Sequence, residues 1–282
     1  MRDTAPPDAW IEWGGNGPPA VFGHANGFPP ESYRLLLEAL SRHFSVASFA
    51  ARPLWPGSDP GSVRSWRDLA GDLGDELGWR RVEGALAVGH SLGSVLHVLT
   101  AAADPRRFRA LALIDPVVFT GTQALFWGVL KGLGFGRRLP LIRGALKRRE
   151  SYADANEVRS SYAGKSVFAG WDPQALDDYI RAGFVPDAAG GVRLRYPKVW
   201  EARIFELTPA TVWRELKNLG VPVLFLRGGL SDTFVAAAAD RAGRELENAR
   251  VVEVPGASHF VPMERPREVA RLIIDWARRV GV

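Results

Sequence analysis

The stretch Ala85-Leu86-Ala87-Val88-Gly89-His90-Ser91-Leu92-Gly93 decides which fold we expect. It begins with four apolar residues, which is typical of a short strand that is buried on both faces. Residues 92–103 contain no acid, lysine or arginine and predict a buried helix. Residues 89–93 therefore place the pattern Gly-x-Ser-x-Gly between a strand and a helix, which is the context of a nucleophile elbow.

The glycines of this pattern have a physical role. A sharp turn from strand to helix strains the backbone at Ser91, and the residues two before and two after must be small so that the chain can pass close by. The turn presents the Ser91 hydroxyl and puts the Leu92 amide at a helix N-terminus, where it can stabilise a developing oxyanion. We expect Ser91 as nucleophile and Leu92 as oxyanion donor. The alternative is a chance match in a chain with 30 glycines.

Strand and helix patterns alternate on both sides of this turn. Apolar strand patterns lie at residues 10–13, 20–23, 44–49, 85–88, 110–114, 223–226 and 251–254. Helical patterns lie at residues 31–42, 66–77, 92–103, 234–246 and 264–280. This alternation predicts an α/β fold with a mostly parallel sheet flanked by helices.

The alternation stops between residues 116 and 218. Helical patterns dominate there, at residues 123–132, 153–168 and 172–184, with Asp172 as the expected N-cap of the last one. Residues 192–196 alternate and predict a short extended piece. We expect a core formed by residues 1–115 and 219–282, and a mainly helical cap, residues 116–218, inserted after the sixth strand. Such insertions lie beyond the carboxyl ends of strands, where sites form.

A serine hydroxyl needs a base to become a nucleophile. His259 lies in a loop after the last strand pattern and before the last helix pattern, so it shares the carboxyl edge of the sheet with Ser91. We therefore expect His259 to be the base, the alternative being a structural loop histidine. The other histidines are expected to brace loops, pack in the core or face solvent: His24, His43, His90 and His97.

The third member of a serine triad is a carboxylate that orients the imidazole. Asp232 follows the strand pattern at residues 223–226 and gives the chain order Ser, Asp, His. Asp115 competes, since it ends the strand pattern at residues 110–114 on the same edge. We assign Asp232, because its strand is expected to neighbour the strand that leads to His259.

A second oxyanion donor is expected in the loop after an early strand. His24-Ala25-Asn26-Gly27-Phe28 occupies that place, with the Asn26 backbone amide as the donor and Gly27 permitting a tight turn. His24 is expected to brace the loop. The alternative is a plain Asn-Gly turn.

With these residues, the chain resembles the α/β-hydrolase superfamily over essentially its whole length, as a capped, esterase- or lipase-like serine hydrolase. The matching pieces are His24-Ala25-Asn26-Gly27, Gly89-His90-Ser91-Leu92-Gly93, the loop with Asp232, and Gly256-Ala257-Ser258-His259-Phe260-Val261-Pro262 followed by Glu264-Arg265-Pro266. Two positions depart from the usual pattern: Ala25 replaces a glycine, and residues 52–58 lack the complete Arg-Gly-x-Gly run. The resemblance implies a hydrolase that needs no cofactor, and it leaves the substrate open.

A serine at the nucleophile position argues against relatives that use an aspartate there, such as haloalkane dehalogenases and epoxide hydrolases. We expect hydrolysis of a carboxylic ester or related acyl substrate with an apolar part, through an acyl-enzyme. The same triad also serves carbon-carbon bond hydrolases, thioesterases, lactonases and perhydrolases. A ligand-binding or sensor protein that uses the capped pocket is the alternative that is not an enzyme. Six aromatic residues predict either a pocket wall or the core of the cap: Phe119, Phe126, Trp127, Trp171, Tyr179 and Trp200.

Composition excludes several classes of protein. The chain of 282 residues has 46% hydrophobic and 24% charged residues, which is globular, and it has no cysteine for a disulfide, a thiolate nucleophile or a zinc-cysteine site. We expect no metal and no cofactor. The first residues lack a signal-peptide pattern, so a cytoplasmic location is expected. Residues 84–103 are long enough to cross a bilayer but have polar residues at their middle, so we expect no integral membrane segment.

The positive charge is concentrated in one segment. The formal net charge is +5, yet residues 116–149 contain seven basic residues and no acid, which leaves 29 basic and 31 acidic residues elsewhere. No recognition motif accompanies the charge, so we expect no nucleic-acid partner. The segment predicts either a solvated face or a cap that attracts an anionic substrate or a membrane surface. Nothing in the sequence indicates an oligomeric state.

Overall fold

The computed structural model describes residues 5–132 and 139–282, with the side chains of residues 122, 126 and 130–132 left out. The strands are β1 (Trp10–Gly14), β2 (Pro19–Gly23), β3 (Ser45–Phe49), β4 (Ala85–His90), β5 (Phe108–Ile114), β6 (Ser151–Tyr152), β7 (Phe184–Pro186), β8 (Val192–Leu194), β9 (Val223–Gly228) and β10 (Ala249–Val254). The helices are α1 (Arg34–Ser41), α2 (Trp66–Trp79), α3 (Leu92–Ala103), α4 (Gly121–Gly132), α5 (Pro140–Leu146), α6 (Ala155–Ala163), α7 (Pro173–Gly183), α8 (Lys198–Glu206), α9 (Trp213–Lys217), α10 (Ala236–Glu245), α11 (Val261–Glu264) and α12 (Pro266–Arg279).

Seven of these strands form the main sheet, in the order β1-β3-β2-β4-β5-β9-β10. The edge strand β1 runs antiparallel to β3, and the other neighbours are parallel. The α/β fold with a mostly parallel sheet is therefore confirmed. The first two strands do not pair with each other, because β3 lies between them.

The central strands are apolar on both faces because helices cover both sides of the sheet. In β4, Ala85 and Ala87 belong to one core, and Leu86 and Val88 belong to the other. The first core contains the apolar faces of α2, α3 and α10, and the second contains those of α1 and α12. A continuous apolar run is therefore the pattern that a doubly covered strand requires.

Proline and an aspartate cap set two helix boundaries. The single helix predicted over residues 264–280 is divided into α11 and α12 at Arg265, which has φ −135° and ψ 50°. The break follows from Pro266, since a proline disfavours helical backbone in the residue before it. Asp172 accepts a hydrogen bond from the Gln174 amide at 2.8 Å, which confirms it as the N-cap of α7.

A long insertion separates β5 from β9. We expected it after the sixth strand, but in the described part of the chain only β1 to β4 precede β5, so it follows the fifth. The insertion holds α4 to α9 and an antiparallel sheet of three short strands, in the order β6-β8-β7. Its side chains extend both cores, for example through Trp200 and Tyr179. The cap boundaries at residues 116 and 218 stay a prediction.

The parallel topology brings the loops of interest to one edge of the sheet. The loops after β2, β4, β5, β9 and β10 all leave from carboxyl ends, and these ends share an edge when strands are parallel. Each of the five loops contains one of the polar residues singled out above: Asn26, Ser91, Asp115, Asp232 and His259. Within residues 5–132 and 139–282, no helix is both long and apolar enough to cross a bilayer.

Candidate active site

Ser91 lies at a strained turn between β4 and α3. Its backbone has φ 53° and ψ −111°, which is rare for a residue with a side chain. A Cβ atom on Gly89 would lie 2.5 Å from the Ser94 nitrogen, and one on Gly93 would lie 2.1 Å from the Gly23 carbonyl oxygen. Both distances are too short for any larger residue, so the two glycines permit the turn that presents Ser91.

His259 pairs with a buried aspartate across the end of the sheet. Its Nδ1 atom donates to Oδ1 of Asp115 at 2.9 Å. The Asp115 carboxylate is fully buried and also accepts from the Gly228 amide at 2.9 Å and the Ser231 hydroxyl at 2.6 Å. These donors compensate the carboxylate for its loss of water. The Asp115 bond fixes a proton on Nδ1, which leaves Nε2 of the neutral imidazole as the acceptor.

The sequence-based pairing of Asp232 with His259 is wrong. Asp232 is exposed, and its carboxylate accepts only a 3.4 Å bond from the Thr233 hydroxyl among the contacts that the structure describes for it. The loop after β9 turns the neighbouring Ser231 inward onto Asp115, and Asp232 lies in the wall of the same cavity as His259 without a described bond to it. Both aspartates follow strands at the same edge, so chain order could not tell which one reaches the imidazole.

The two expected oxyanion donors lie in the wall of the same cavity as Ser91 and His259. Leu92 is the first residue of α3, where amides lack partners within the helix. Asn26 follows β2, and its side chain is held by the Glu201 carbonyl at 3.0 Å and the Tyr196 hydroxyl at 2.9 Å. Sequence reasoning did not foresee this side-chain anchoring.

A chain of hydrogen bonds connects three loops of the site. The Ala25 amide donates to the Tyr33 hydroxyl at 3.1 Å, and that hydroxyl is 2.8 Å from Nδ1 of His90. Nε2 of His90 is 3.0 Å from the His259 carbonyl oxygen, which can only accept, so Nε2 carries the proton and Nδ1 accepts from Tyr33. Burial lowers the pKa of His90 well below its usual value, which keeps the ring neutral for this arrangement.

His24 braces the loop after β2, as expected. Its Nδ1 atom donates to the Ala25 carbonyl at 2.8 Å, and its Nε2 atom accepts from the Ala51 amide at 2.9 Å. Burial lowers the pKa of His24 to about 4, so it stays neutral at pH 7. Both ring nitrogens are used in structural bonds, which leaves His24 no part in proton transfer.

A cavity of about 930 Å³ opens above Ser91 and His259. Most of its wall is apolar and includes Phe28, Val117, Phe119, Trp127, Leu141, Phe168, Phe205 and Phe260. Of the aromatic residues considered from sequence, Phe119, Trp127 and Tyr179 line it. Trp171 and Trp200 are buried in the two cores instead, and the side chain of Phe126 lies outside the described residues.

One part of the cavity wall is polar, and the sequence indicated only that its arginine, Arg148, belongs to a basic segment that could attract an anionic substrate. Arg148 donates to the Tyr179 hydroxyl at 2.8 Å and the Tyr162 hydroxyl at 3.2 Å, and it forms an ion pair with Glu201. Burial lowers the pKa of Arg148, but Tyr179 and Glu201 raise it above its usual value, so the guanidinium keeps its charge. Lys165 lines the cavity beside this group.

The comparisons with known proteins agree with this fold. The sequence profile of the alpha/beta hydrolase family matches residues 20–272. The chain belongs to this family. The resemblance seen in the sequence is thereby confirmed, together with a hydrolase fold.

Individual relatives of this alpha/beta hydrolase have diverged far in sequence. The chain is 26% identical, over 266 residues, to the 2-(acetamidomethylene)succinate hydrolase of Mesorhizobium japonicum, which covers 93% of this chain and 88% of that protein. The crystal structure of E-2-(acetamidomethylene)succinate hydrolase superposes with a TM-score of 0.78 at 24% identity, covering 95% of this chain and 94% of the other. A malate-bound esterase from Thermogutta terrifontis gives a TM-score of 0.71 at 19% identity, covering 100% and 98%.

Proposed function

We propose that the chain is a serine hydrolase of carboxylic esters or related acyl compounds, with Ser91, His259 and Asp115 as its triad. The observation that carries the proposal is the His259–Asp115 hydrogen bond of 2.9 Å. His259 lines the same cavity as Ser91, which lies on its strained turn. A serine that lines a cavity, a base and an acid that orients the base are together the requirements for nucleophilic acyl transfer.

The reaction follows from these positions. Nε2 of His259 removes the Ser91 proton while Oγ attacks the substrate carbonyl, and the Leu92 and Asn26 amides stabilise the oxyanion. His259 then returns the proton to the leaving alcohol, which departs and leaves an acyl-enzyme. A water molecule, deprotonated by His259, attacks this ester, and His259 then gives the proton to Oγ of Ser91 as the acid is released. Asp115 stabilises the imidazolium that exists between the proton transfers.

The cavity favours an acyl substrate with an apolar part. Its wall, which includes Ser91, is formed mainly by aromatic and aliphatic side chains. A second candidate, cleavage of an acetamido compound by the same triad, is supported by the similarity to 2-(acetamidomethylene)succinate hydrolase over 93% of this chain. Both candidates are acyl transfers through Ser91, and for the acetamido compound the leaving atom that His259 protonates is a nitrogen instead of an alcohol oxygen.

The test is hydrolysis of p-nitrophenyl esters from acetate to decanoate by the wild type and by Ser91→Ala. We expect turnover by the wild type and none above the buffer rate for Ser91→Ala. Acyl-length preference then reports how much of the cavity the acyl chain fills. Turnover retained by Ser91→Ala contradicts the proposal, and ligand binding without turnover by the wild type favours a binding protein.

A matched pair of variants tests the triad acid. Asp115→Asn removes the charge that stabilises the His259 imidazolium, and we expect kcat to fall about 10³–10⁴-fold. Asp232→Asn makes the same chemical change on an exposed side chain in the cavity wall that does not bond to His259, so kcat should stay within about threefold of the wild-type value. A larger loss for Asp232→Asn than for Asp115→Asn would restore Asp232 as the acid.

A further inference from the structure

Two cations of the insertion meet in the cavity wall at Tyr162. Arg148 donates to the Tyr162 hydroxyl at 3.2 Å, and Nζ of Lys165 lies 4.2 Å from the centroid of the same ring. Both side chains line the cavity. Within residues 5–132 and 139–282, Glu201 is the acid that pairs with Arg148, and no acid lies within 4 Å of Lys165. The group therefore has two positive charges and one negative charge.

Tyr179 adds a hydrogen-bond donor to this group. Its hydroxyl is buried and accepts the 2.8 Å bond from Arg148, so its own proton is available to a ligand in the cavity. A positive charge beside an unused donor in a mostly apolar wall is an environment in which a carboxylate binds well. Burial and the nearby Arg148 lower the pKa of Lys165, and an anion placed between the two cations relieves this repulsion.

The group also has a defined position relative to the reacting carbonyl. A Cβ atom on Gly27 would lie 3.4 Å from Nη1 of Arg148 and 3.3 Å from the carboxyl carbon of Glu201. Gly27 follows Asn26, the expected oxyanion donor. The Arg148 side chain therefore lies against the loop that carries the proposed oxyanion donor.

We propose that Arg148, Lys165 and Tyr179 form a carboxylate-binding subsite, so that the acyl group of the substrate carries a second, free carboxylate a few carbons from the scissile carbonyl. This inference rests on the proposed function for the identity of the scissile bond. It gives one arginine of the basic segment a specific role. The neighbouring Arg149 is exposed and bonded to Glu157 and the Ser151 carbonyl, Arg143 and Lys147 are exposed, and Lys131, Arg137 and Arg138 have side chains outside the described residues.

The first experiment compares charged and neutral esters of similar length. Monoethyl succinate, glutarate and adipate are hydrolysed in a pH-stat beside ethyl butyrate, pentanoate and hexanoate, and the ratio of kcat/KM for each charged and neutral pair is determined. We expect this ratio to fall about tenfold or more for Arg148→Gln, chiefly through KM, and about three- to tenfold for Lys165→Met. Arg149→Gln removes a charge from the same segment outside the cavity and should leave the ratio unchanged.

The second experiment does not depend on turnover. Binding of glutarate and of butyrate to Ser91→Ala is measured by calorimetry, and Lys165→Met and Arg148→Gln in that background should each weaken glutarate binding selectively. Lys165 is exposed, so its variant decides the outcome if Arg148→Gln does not fold. The subsite is overturned if glutarate binds no better than butyrate, or if Lys165→Met leaves both binding and the ester ratio unchanged. If the subsite is overturned but ester hydrolysis still depends on Ser91, the proposed function stands. If glutarate binds selectively but no ester is turned over, the result supports the subsite and not the proposed function.

Discussion

Asn26 illustrates, at the scale of single residues, how distant parts of the chain control the site. Its position after β2 is readable from sequence, but its side chain is held by the Glu201 carbonyl and the Tyr196 hydroxyl, 175 and 170 residues away. Both partners belong to the insertion. The insertion therefore fixes the orientation of the loop whose amide we propose as an oxyanion donor, as well as covering the site.

Replacing Asn26 by alanine keeps the backbone amide but removes both anchors. We expect kcat for p-nitrophenyl acetate to fall about tenfold with KM within about twofold, because a misplaced donor weakens the transition state more than the ground state. Tyr196→Phe removes one anchor and should give a smaller loss of the same kind. Steady-state kinetics measure both losses. An unchanged kcat for Asn26→Ala would show that the insertion does not position the oxyanion loop.

At the scale of elements, three loops from separate strands are connected by one polar chain. Tyr33, which precedes α1, accepts from the loop after β2 and donates to His90 at the end of β4, and His90 donates to the loop after β10. The bonds require a neutral His90 with one defined tautomer. The loops that carry the proposed oxyanion donor, nucleophile and base are thus connected through the ring of His90, the residue before Ser91.

Tyr33→Phe breaks this chain while preserving the ring. The Ala25 amide and Nδ1 of His90 lose their buried partner, which costs about 1–3 kcal/mol of unfolding free energy for unsatisfied groups. We expect kcat to fall as well, since His259 and the oxyanion loop lose a common support. Urea denaturation and ester kinetics on the same preparation measure the two effects. A variant as stable and as active as the wild type would show that the chain is not needed.

At the scale of the whole molecule, the features that could be predicted from sequence are those that depend on the spacing of nearby residues. The seven strands of the main sheet and the helices on its faces have periodic apolar patterns, so the fold and the turn at Ser91 could be predicted. Among the short strands of the insertion, β8 lies where the alternation of residues 192–196 predicts an extended piece, whereas β6, with two residues, is too short to show a period. The choice between Asp115 and Asp232, and the Arg148 group, depend on side-chain contacts between residues far apart in sequence, which no local pattern encodes.

The buried histidines make the stability of the whole chain sensitive to acid. His97 is fully buried, packs against Phe108, and neither of its ring nitrogens has a hydrogen-bond partner among the described residues. Burial lowers the pKa of His97 from 6.5 to about 3. Below pH 6.5 the unfolded chain therefore binds a proton at His97 and the folded chain does not. The free energy of unfolding is highest above pH 6.5 and decreases as the pH falls towards 3. His24 and His90, with lowered pKa values, act in the same direction.

Replacing His97 by leucine removes one group that binds a proton in the unfolded chain but not in the folded chain. Between pH 7 and pH 5 the wild type should lose about 2 kcal/mol more unfolding free energy than His97→Leu, because each pH unit between the two pKa values is worth about 1.4 kcal/mol. His43→Gln is the matched control, since His43 is exposed, and it should follow the wild type. Urea denaturation at pH 7, 6 and 5 measures the three slopes. Parallel slopes for the wild type and His97→Leu would mean that the folded chain accepts a proton at His97, which its apolar surroundings argue against.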